Sequence, residues 1–402
     1  MKQHRVLMYS HDTFGLGHLR RCRTIANALV ENFSGMRVLI ISGSQIAGAF
    51  DYKSRVDFVK VPSVIKLRNG EYTSLSQHID LKDTVDLRRT MIRQTAKSFQ
   101  PDIFIVDKEP MGLKGEVEET LAYLGAQGTT LVLGLRDVMD APHLLEKEWR
   151  SNDNLSKIGK YYDQVWVYGP PDFCDPLAGL DVPPSVREKM DFVGFLQRSV
   201  NEDVPPQQRS LGDYLLVTTG GGGDGGDLVA DVLAAYEHDP GFDQKALIVL
   251  GPYMKAELRA EYMERGQGVP QVEIIEFDMH MEGLIAGSRA VIGMGGYNTF
   301  CEILSFDKPA LIVPRVSPRE EQLIRALRAA ELGVIDMLHP DDSRDPAQML
   351  AALRAVAGRK RPSQSAPRVR MEGLPNIVAR VAEDLRRRDD RTRTAASLQV
   401  IT

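Results

Sequence analysis

Ile292 to Arg315 reads IGMGGYNTFCEILSFDKPALIVPR, and this stretch decides the fold. Its spacing predicts a buried β-strand ending in a glycine turn, a short helix opening at Asn298 or Thr299, and a second strand at Ala310 to Val313. A glycine turn at the carboxyl end of a strand lets a ligand approach bare backbone. The helix behind it aims free N–H groups and the positive end of its dipole at the same spot, which makes a candidate phosphate seat. One turn into that helix, the Glu302 carboxylate can accept two hydrogen bonds from the vicinal hydroxyls of a sugar. The competing reading is that Thr299-x-x-Glu302 is a capping box and binds nothing.

The chain around it has 402 residues, long for one core, so two α/β domains are expected. With 43% hydrophobic and 26% charged residues it falls in the ordinary globular range, which excludes wholesale disorder. A net charge of -5 argues against a general nucleic-acid binder, which needs a basic excess to displace counterions. Cys22, Cys174 and Cys301 are odd in number and lack metal-ligand spacing, as expected of a cytoplasmic chain. No secretory signal is recognisable at the start, and no window reaches the roughly 18 apolar residues of a membrane span.

In chain order, Arg5 to Ser10 is a strand-like apolar run, His11 to Gly17 a glycine-containing loop, and the residues from Leu19 to Phe33 an amphipathic helix. Val38 to Ser42 follows as a second strand. This β–loop–α–β opening predicts a parallel sheet, with ligands outside the carboxyl ends of its strands. Leu81 to Phe99 reads as a helix. Ile103 to Val106 and Leu131 to Leu135 read as strands that deliver Asp107, Lys108 and Glu109, and then Arg136 and Asp137, to the same rim. Tyr52 to Ser76 carries only short strand-like pieces, Gly169 to Pro184 is loop-like, and Asp191 to Leu196 reads as the last strand of the first half. The plan restarts at Tyr214 to Thr218, followed by the glycine-rich Gly220 to Gly226 and a helix at Leu228 to Tyr236. The expected layout is a first domain over 1–197 and a linker over 198–209 containing Pro205 and Pro206. A second domain over 210–373, a helix over 374–388 packing back on the first domain, and a frayed tail over 389–402 complete it.

Neither glycine loop is a standard nucleotide motif. Gly15-x-Gly17 is followed by Arg20 where the dinucleotide fingerprint needs a third small residue, and Gly220 to Gly226 lacks the Gly-Lys-Ser/Thr of a P-loop. His18, where the first loop becomes helix, is placed to act as a base, its pKa lowered by the helix start. A histidine in that position can equally be a plain surface residue.

Taken together, these motifs resemble the two-domain GT-B glycosyltransferases of the family 28 type, which implies an α/β fold of two Rossmann-like parallel-sheet domains facing across a cleft. GMGGYNTFCEILSFDKPALIVPR followed by SPREEQLIRALRAAELG is similar to that family's donor site. The resemblance implies that Glu302 binds the ribose hydroxyls and that Gly295, Gly296, Asn298 and Thr299 line the diphosphate. It places Glu321 and Gln322 on the donor sugar, where the family has paired glutamines. IIEFDMHMEGLIAGSRAVIG resembles the uracil-holding segment, with Phe277 and Asp278 against the base, and Gly220, Gly221 and Gly222 stand at the second phosphate loop. FGLGHLRRCRTIANAL, carrying Gly17 and His18, is similar to the opening of the UDP-sugar hydrolases of pseudaminic acid synthesis and compatible with the transferase loop. The whole resembles an uncharacterised group of bacterial glycosyltransferases.

The resemblance implies a hexosyl or N-acetylhexosaminyl transferase taking a nucleoside diphosphate sugar, with UDP as the expected carrier. The acceptor is left open between a polysaccharide precursor and a lipid-linked molecule, with a cytoplasmic location that allows peripheral contact at the inner membrane face. No organic cofactor is expected. Helix-start N–H groups and the Gly220 loop can stabilise the leaving diphosphate without a metal, and no Asp-x-Asp stands at a strand end. The base is expected on the first domain, with His18 first and Asp12, Asp107 and Asp137 as reserves; attack opposite the leaving group gives inversion. A hydrolase passing the sugar to water, a nucleotide-binding module, and an epimerase of the same fold are the competing classes. The last wants more acid–base residues than the sequence offers.

Overall fold

Val6 to Ser10 are buried without a break. Alternate residues serve two cores: Val6 and Met8 pack into one, Leu7 and Tyr9 into the other, as happens when helices cover both faces of a parallel sheet. This strand, β1 (His4–Ser10), is followed in the computed structural model by β2 (Met36–Ser42) and β3 (Val56–Lys60), then a small hairpin of β4 (Val64–Lys66) and β5 (Tyr72–Ser74). Next come β6 (Ile103–Asp107), β7 (Thr130–Arg136), β8 (Gln164–Tyr168) and β9 (Met190–Phe192). The structure describes residues 3–11, 16–66, 72–74, 79–200, 213–366 and 369–399, with side chains of the last helix through Asp390. The first sheet is parallel and runs β3-β2-β1-β6-β7-β8-β9.

The second sheet repeats the plan with β10 (Tyr214–Thr218), β11 (Lys245–Val249), β12 (Val272–Ile275), β13 (Ala290–Gly293), β14 (Ala310–Ile312) and β15 (Asp336–Met337). Its order is β12-β11-β10-β13-β14-β15, again parallel. In each sheet the strand order reverses once, between β1 and β6 and between β10 and β13. Open α/β sheets bind ligands at such a switch point. At or beyond the carboxyl ends of these four strands stand His18, Asp107, the Gly220 turn and the Gly295 turn.

The lobes meet through an aromatic contact in which Phe195 stands 5.1 Å from Phe173 and 5.4 Å from Phe300, ring centre to ring centre. The helix Gly373–Gln399 returns to the first sheet. Ile377, Val381 and Leu385, spaced four residues apart, are buried, and Asn376 donates to the Val193 carbonyl at 2.8 Å. Gln164 donates to the Asp384 carboxylate at 2.9 Å.

Two expectations need correction. The segment from 389 is helical to Gln399, not frayed, because Asp, Arg, Ala and Leu are tolerated in a helix whose preceding turns are already anchored. The strand expected over Asp191 to Leu196 is Met190–Phe192; the Val193 N–H makes one further bond to the Val167 carbonyl at 2.9 Å, and Phe195 and Leu196 then enter the interlobe core. The short strand-like pieces expected within Tyr52 to Ser76 are β3 and the hairpin. Pro205, Pro206 and Asp12 fall outside the described residues. Among the described residues no helix is long and apolar enough to cross a membrane.

Candidate functional site

The helix Tyr297–Ser305 is capped by Gly296 with no side-chain cap bond, so Thr299 and Glu302 do not form the capping box that was the competing reading. Its first helical bond runs from the Phe300 N–H to the Gly296 carbonyl, which leaves the N–H groups of Tyr297, Asn298 and Thr299 without an intrahelical partner. Across from it, the loop after β10 turns on Gly220 and Gly222, at φ of 65° and 89°. A Cβ on Gly222 would meet the Leu250 carbonyl at 2.4 Å, so only glycine lets this loop lie against Gly251. Gly220, Gly221, Gly222, Gly296, Asn298, Thr299 and Glu302 line one interlobe crevice of about 240 Å³. Phe277, Asp278, Glu321 and Gln322 border it as well.

The first lobe contributes Gly17 and His18 to the same crevice. His18 lies at the start of the helix Gly17–Asn32, and its Nδ1 is 2.6 Å from the Asp107 carboxylate. Arg21 Nη2 also approaches Nδ1, at 3.1 Å, but it already donates to Asp107 at 2.6 Å. The shorter, carboxylate contact fixes the tautomer: Nδ1 carries the proton and Nε2 is left as acceptor. Burial holds the His18 imidazole below its ordinary pKa, against the upward pull of Asp107, so the neutral form prevails near pH 7. Asp107 lies far below the usual carboxylate range despite burial, because of Arg21 and the His18 bond. It cannot serve as a base in that state; it orients His18.

Glu302 is 1% exposed and accepts a hydrogen bond from Arg20 of the first lobe, whose guanidinium also reaches Glu282 at 3.1 Å. Burial raises the Glu302 pKa, Arg20 opposes that rise, and nearby Glu282 adds to it.

Several expected roles are reassigned. Asp137 is fully buried in a bidentate pair with Arg325 of the second lobe, at 2.7 and 2.8 Å, so it ties the lobes together and is not a reserve base. Gly295, at φ 76°, does not line the crevice; its carbonyl accepts from Arg325 at 3.0 Å. The Asn298 side chain is committed to the interlobe contact, donating to the Gly17 carbonyl at 3.1 Å and accepting from Arg198 at 2.8 Å. Its backbone N–H and the second hydrogen of its amide are left for a phosphate. Glu321 is held by Arg315 at 3.0 Å and faces Arg136 at 3.6 Å; these guanidiniums lower its pKa to about 2 despite burial. Gln322 accepts from the Arg315 N–H at 3.0 Å, which leaves the NH₂ half of its amide for a ligand. Asp278 accepts from the His280 N–H at 2.7 Å.

Sequence reasoning passed over Arg20 and Arg21, which follow His18 on the same helix. The signal was present: arginine at a core-facing helical position, beside Cys22, is seldom buried unless paired. Both are paired here.

Residues 215–381 match the model of the glycosyltransferase family 28 C-terminal domain, a span that holds the Gly220 loop, Glu302, Glu321 and Gln322. The second lobe matches that domain, and the chain is a glycosyltransferase. An uncharacterized glycosyltransferase of Methanosarcina acetivorans is 26% identical over 334 residues, covering 77% of this chain and 79% of its own length. Among solved structures, MurG of Acinetobacter baumannii superposes with a TM-score of 0.58 at 11% identity, covering 95% of this chain and 100% of its own. The calicheamicin glycosyltransferase CalG4 superposes with a TM-score of 0.58 at 18% identity, covering 96% and 98%. These structures share the GT-B architecture of this glycosyltransferase, two Rossmann-like lobes with the crevice between them.

Proposed function

We propose that this glycosyltransferase moves a sugar from a nucleoside diphosphate, with UDP as the carrier, to an acceptor hydroxyl, with inversion and without a metal ion. The observation that carries the reading is His18, paired with Asp107 on one lobe and lining the same crevice as Glu302 and the glycine turns of the other. His18 Nε2 takes the proton of the acceptor hydroxyl, whose oxygen attacks the anomeric carbon. The bond from that carbon to the phosphate oxygen breaks, and its electron pair leaves with the nucleoside diphosphate. Asp107 stabilises the imidazolium that forms. The N–H groups at the start of helix Tyr297–Ser305 and the Gly220 turn meet the charge growing on the diphosphate. Glu302 receives the ribose hydroxyls, and Phe277 with Asp278 borders the base.

The test is incubation of the pure protein with a panel of nucleoside diphosphate sugars, measuring free nucleoside diphosphate with and without a cell extract as acceptor source. Parallel reactions contain a chelator, and NMR reads the anomeric configuration of the product. Release that depends on extract, persists with chelator and gives inverted product supports the reading. Release without extract assigns the sugar to water, and loss with chelator removes the metal-free claim.

A further inference from the structure

Arg136 ends β7 at the rim of the first lobe and lines the crevice beside the Gly220 turn and Thr299. Four guanidiniums line that crevice, and three are hydrogen-bonded to carboxylates, although the Arg315 Nε is, like that of Arg136, buried without a partner. Arg20 bonds Glu282 and Glu302, Arg21 bonds Asp107 twice, and Arg315 bonds Asp224 and Glu321. Arg136 is different. Its one hydrogen bond among the described residues is a long one, Nη2 to the Met139 carbonyl at 3.4 Å. Its Nε is buried without a partner, and its Nη1 stops 3.6 Å short of Glu321, a carboxylate already bonded to Arg315. Burial, together with Arg21 and Arg325, works against this charge, and only Glu321 and Asp137 favour it.

A guanidinium has five N–H donors in a planar fork, and buried donors left unmade are costly. Nothing in the fold requires the Arg136 fork to face the crevice underused. A bidentate oxyanion satisfies it, since the spacing of the fork matches phosphate and carboxylate oxygens. The oxyanion that every nucleoside diphosphate sugar brings to this crevice is its diphosphate.

Resting on the nucleotide-sugar reading above, we propose that Arg136 grips the distal phosphate of the donor, so that the first lobe shares in stabilising the leaving group. When the bond between the anomeric carbon and the distal phosphate oxygen breaks, the electron pair stays on that oxygen. Arg136, protonated throughout, meets the charge there while the helix start and glycine turn meet it from the second lobe. Glu321 and Arg315 hold Arg136 in place: Glu321 faces Nη1, and Arg315 fixes Glu321. This explains why a carboxylate stands where related donor sites carry an amide. Glu321 acts on its neighbouring guanidiniums and not directly on the sugar.

The experiment is calorimetric titration of UDP, TDP, GDP and ADP, and of the corresponding monophosphates, into wild-type protein, Arg136→Ala and Arg136→Lys. Thermal melts accompany each. Arg136→Ala is expected to lose about tenfold or more in affinity for the diphosphate that wild type binds, with the monophosphate unchanged. Arg136→Lys recovers part of that loss as a point charge without the fork. Equal losses for mono- and diphosphate would show a structural role and overturn the proposal. No loss for either would overturn it too, and would assign the fork to a carboxylate on the sugar. If wild type binds no diphosphate, the nucleotide-donor reading fails and takes this one with it. If wild type binds one and Arg136→Ala binds it equally well, only this proposal falls.

Discussion

The Arg20 guanidinium on the first lobe is hydrogen-bonded to the buried carboxylate of Glu302 on the second, and so covers the group assigned to the donor ribose. The crevice encloses about 240 Å³, below the roughly 300–1,000 Å³ of ligand pockets. With Glu302 as the proposed ribose acceptor, a nucleotide can reach it only when Arg20 leaves, so Arg20 is expected to compete with the donor.

An ordinary binding residue weakens its ligand when removed, whereas a competitor does not. Arg20→Met is expected to bind nucleoside diphosphate at least as tightly as wild type, and Glu302→Ala to lose roughly 1.5–3 kcal/mol. Calorimetric titration checks both. A loss of more than tenfold in Arg20→Met would show that Arg20 contacts the nucleotide.

The pH dependence follows from His18. Its pKa is lowered from 6.5 chiefly by burial, so the imidazole is neutral and competent above that depressed value and is protonated as the pH falls through it. The acid limb of kcat/KM is therefore expected below pH 6.5. In Asp107→Asn the contact that raises the His18 pKa is lost, so the limb moves to still lower pH, while the plateau rate falls by about 10²–10⁴. Rate profiles from pH 4 to 9 on both proteins decide this; a limb above 6.5 would mean a different base.

Asp137 separates a structural from a catalytic reading. Neither member of its pair with Arg325 is exposed to solvent, so Asp137→Ala strands a buried guanidinium and is expected to cost roughly 3–5 kcal/mol of stability. The pH–rate profile of the surviving folded protein should keep its shape. Denaturant melts and the profile together check it, and an unchanged melt with a lost acid limb would restore Asp137 as a base.

Much of this architecture was legible in the chain. A strand, a glycine turn and an amphipathic helix are local patterns, and they recur at Arg5 to Phe33, at Tyr214 to Tyr236 and around Ile292. His18 and Glu302 were readable because each sits at a helix start beside such a turn. What could not be read were partners distant in sequence. Asp137 and Arg325 are 188 positions apart, and Arg20 and Glu302 are 282 apart. An acidic residue at a strand end looks the same whether it faces substrate or a guanidinium from the other lobe. Gly295 was misread because its carbonyl is taken by Arg325, 30 positions on in the same lobe, and the reach of the Asn298 side chain to Gly17 and Arg198 of the other lobe was not readable at all. The terminal helix was cut short because its last turns lack an apolar stripe, and helix already anchored upstream continues without one.

Nucleotide binding and sugar transfer measured side by side in His18→Ala and Glu302→Ala test the division of labour between the lobes most directly. The expected result is that His18→Ala binds nucleoside diphosphate as wild type does but transfers sugar about 10²–10⁴-fold more slowly, while Glu302→Ala loses nucleotide affinity. Loss of nucleotide binding in His18→Ala, with full binding in Glu302→Ala, would contradict the account.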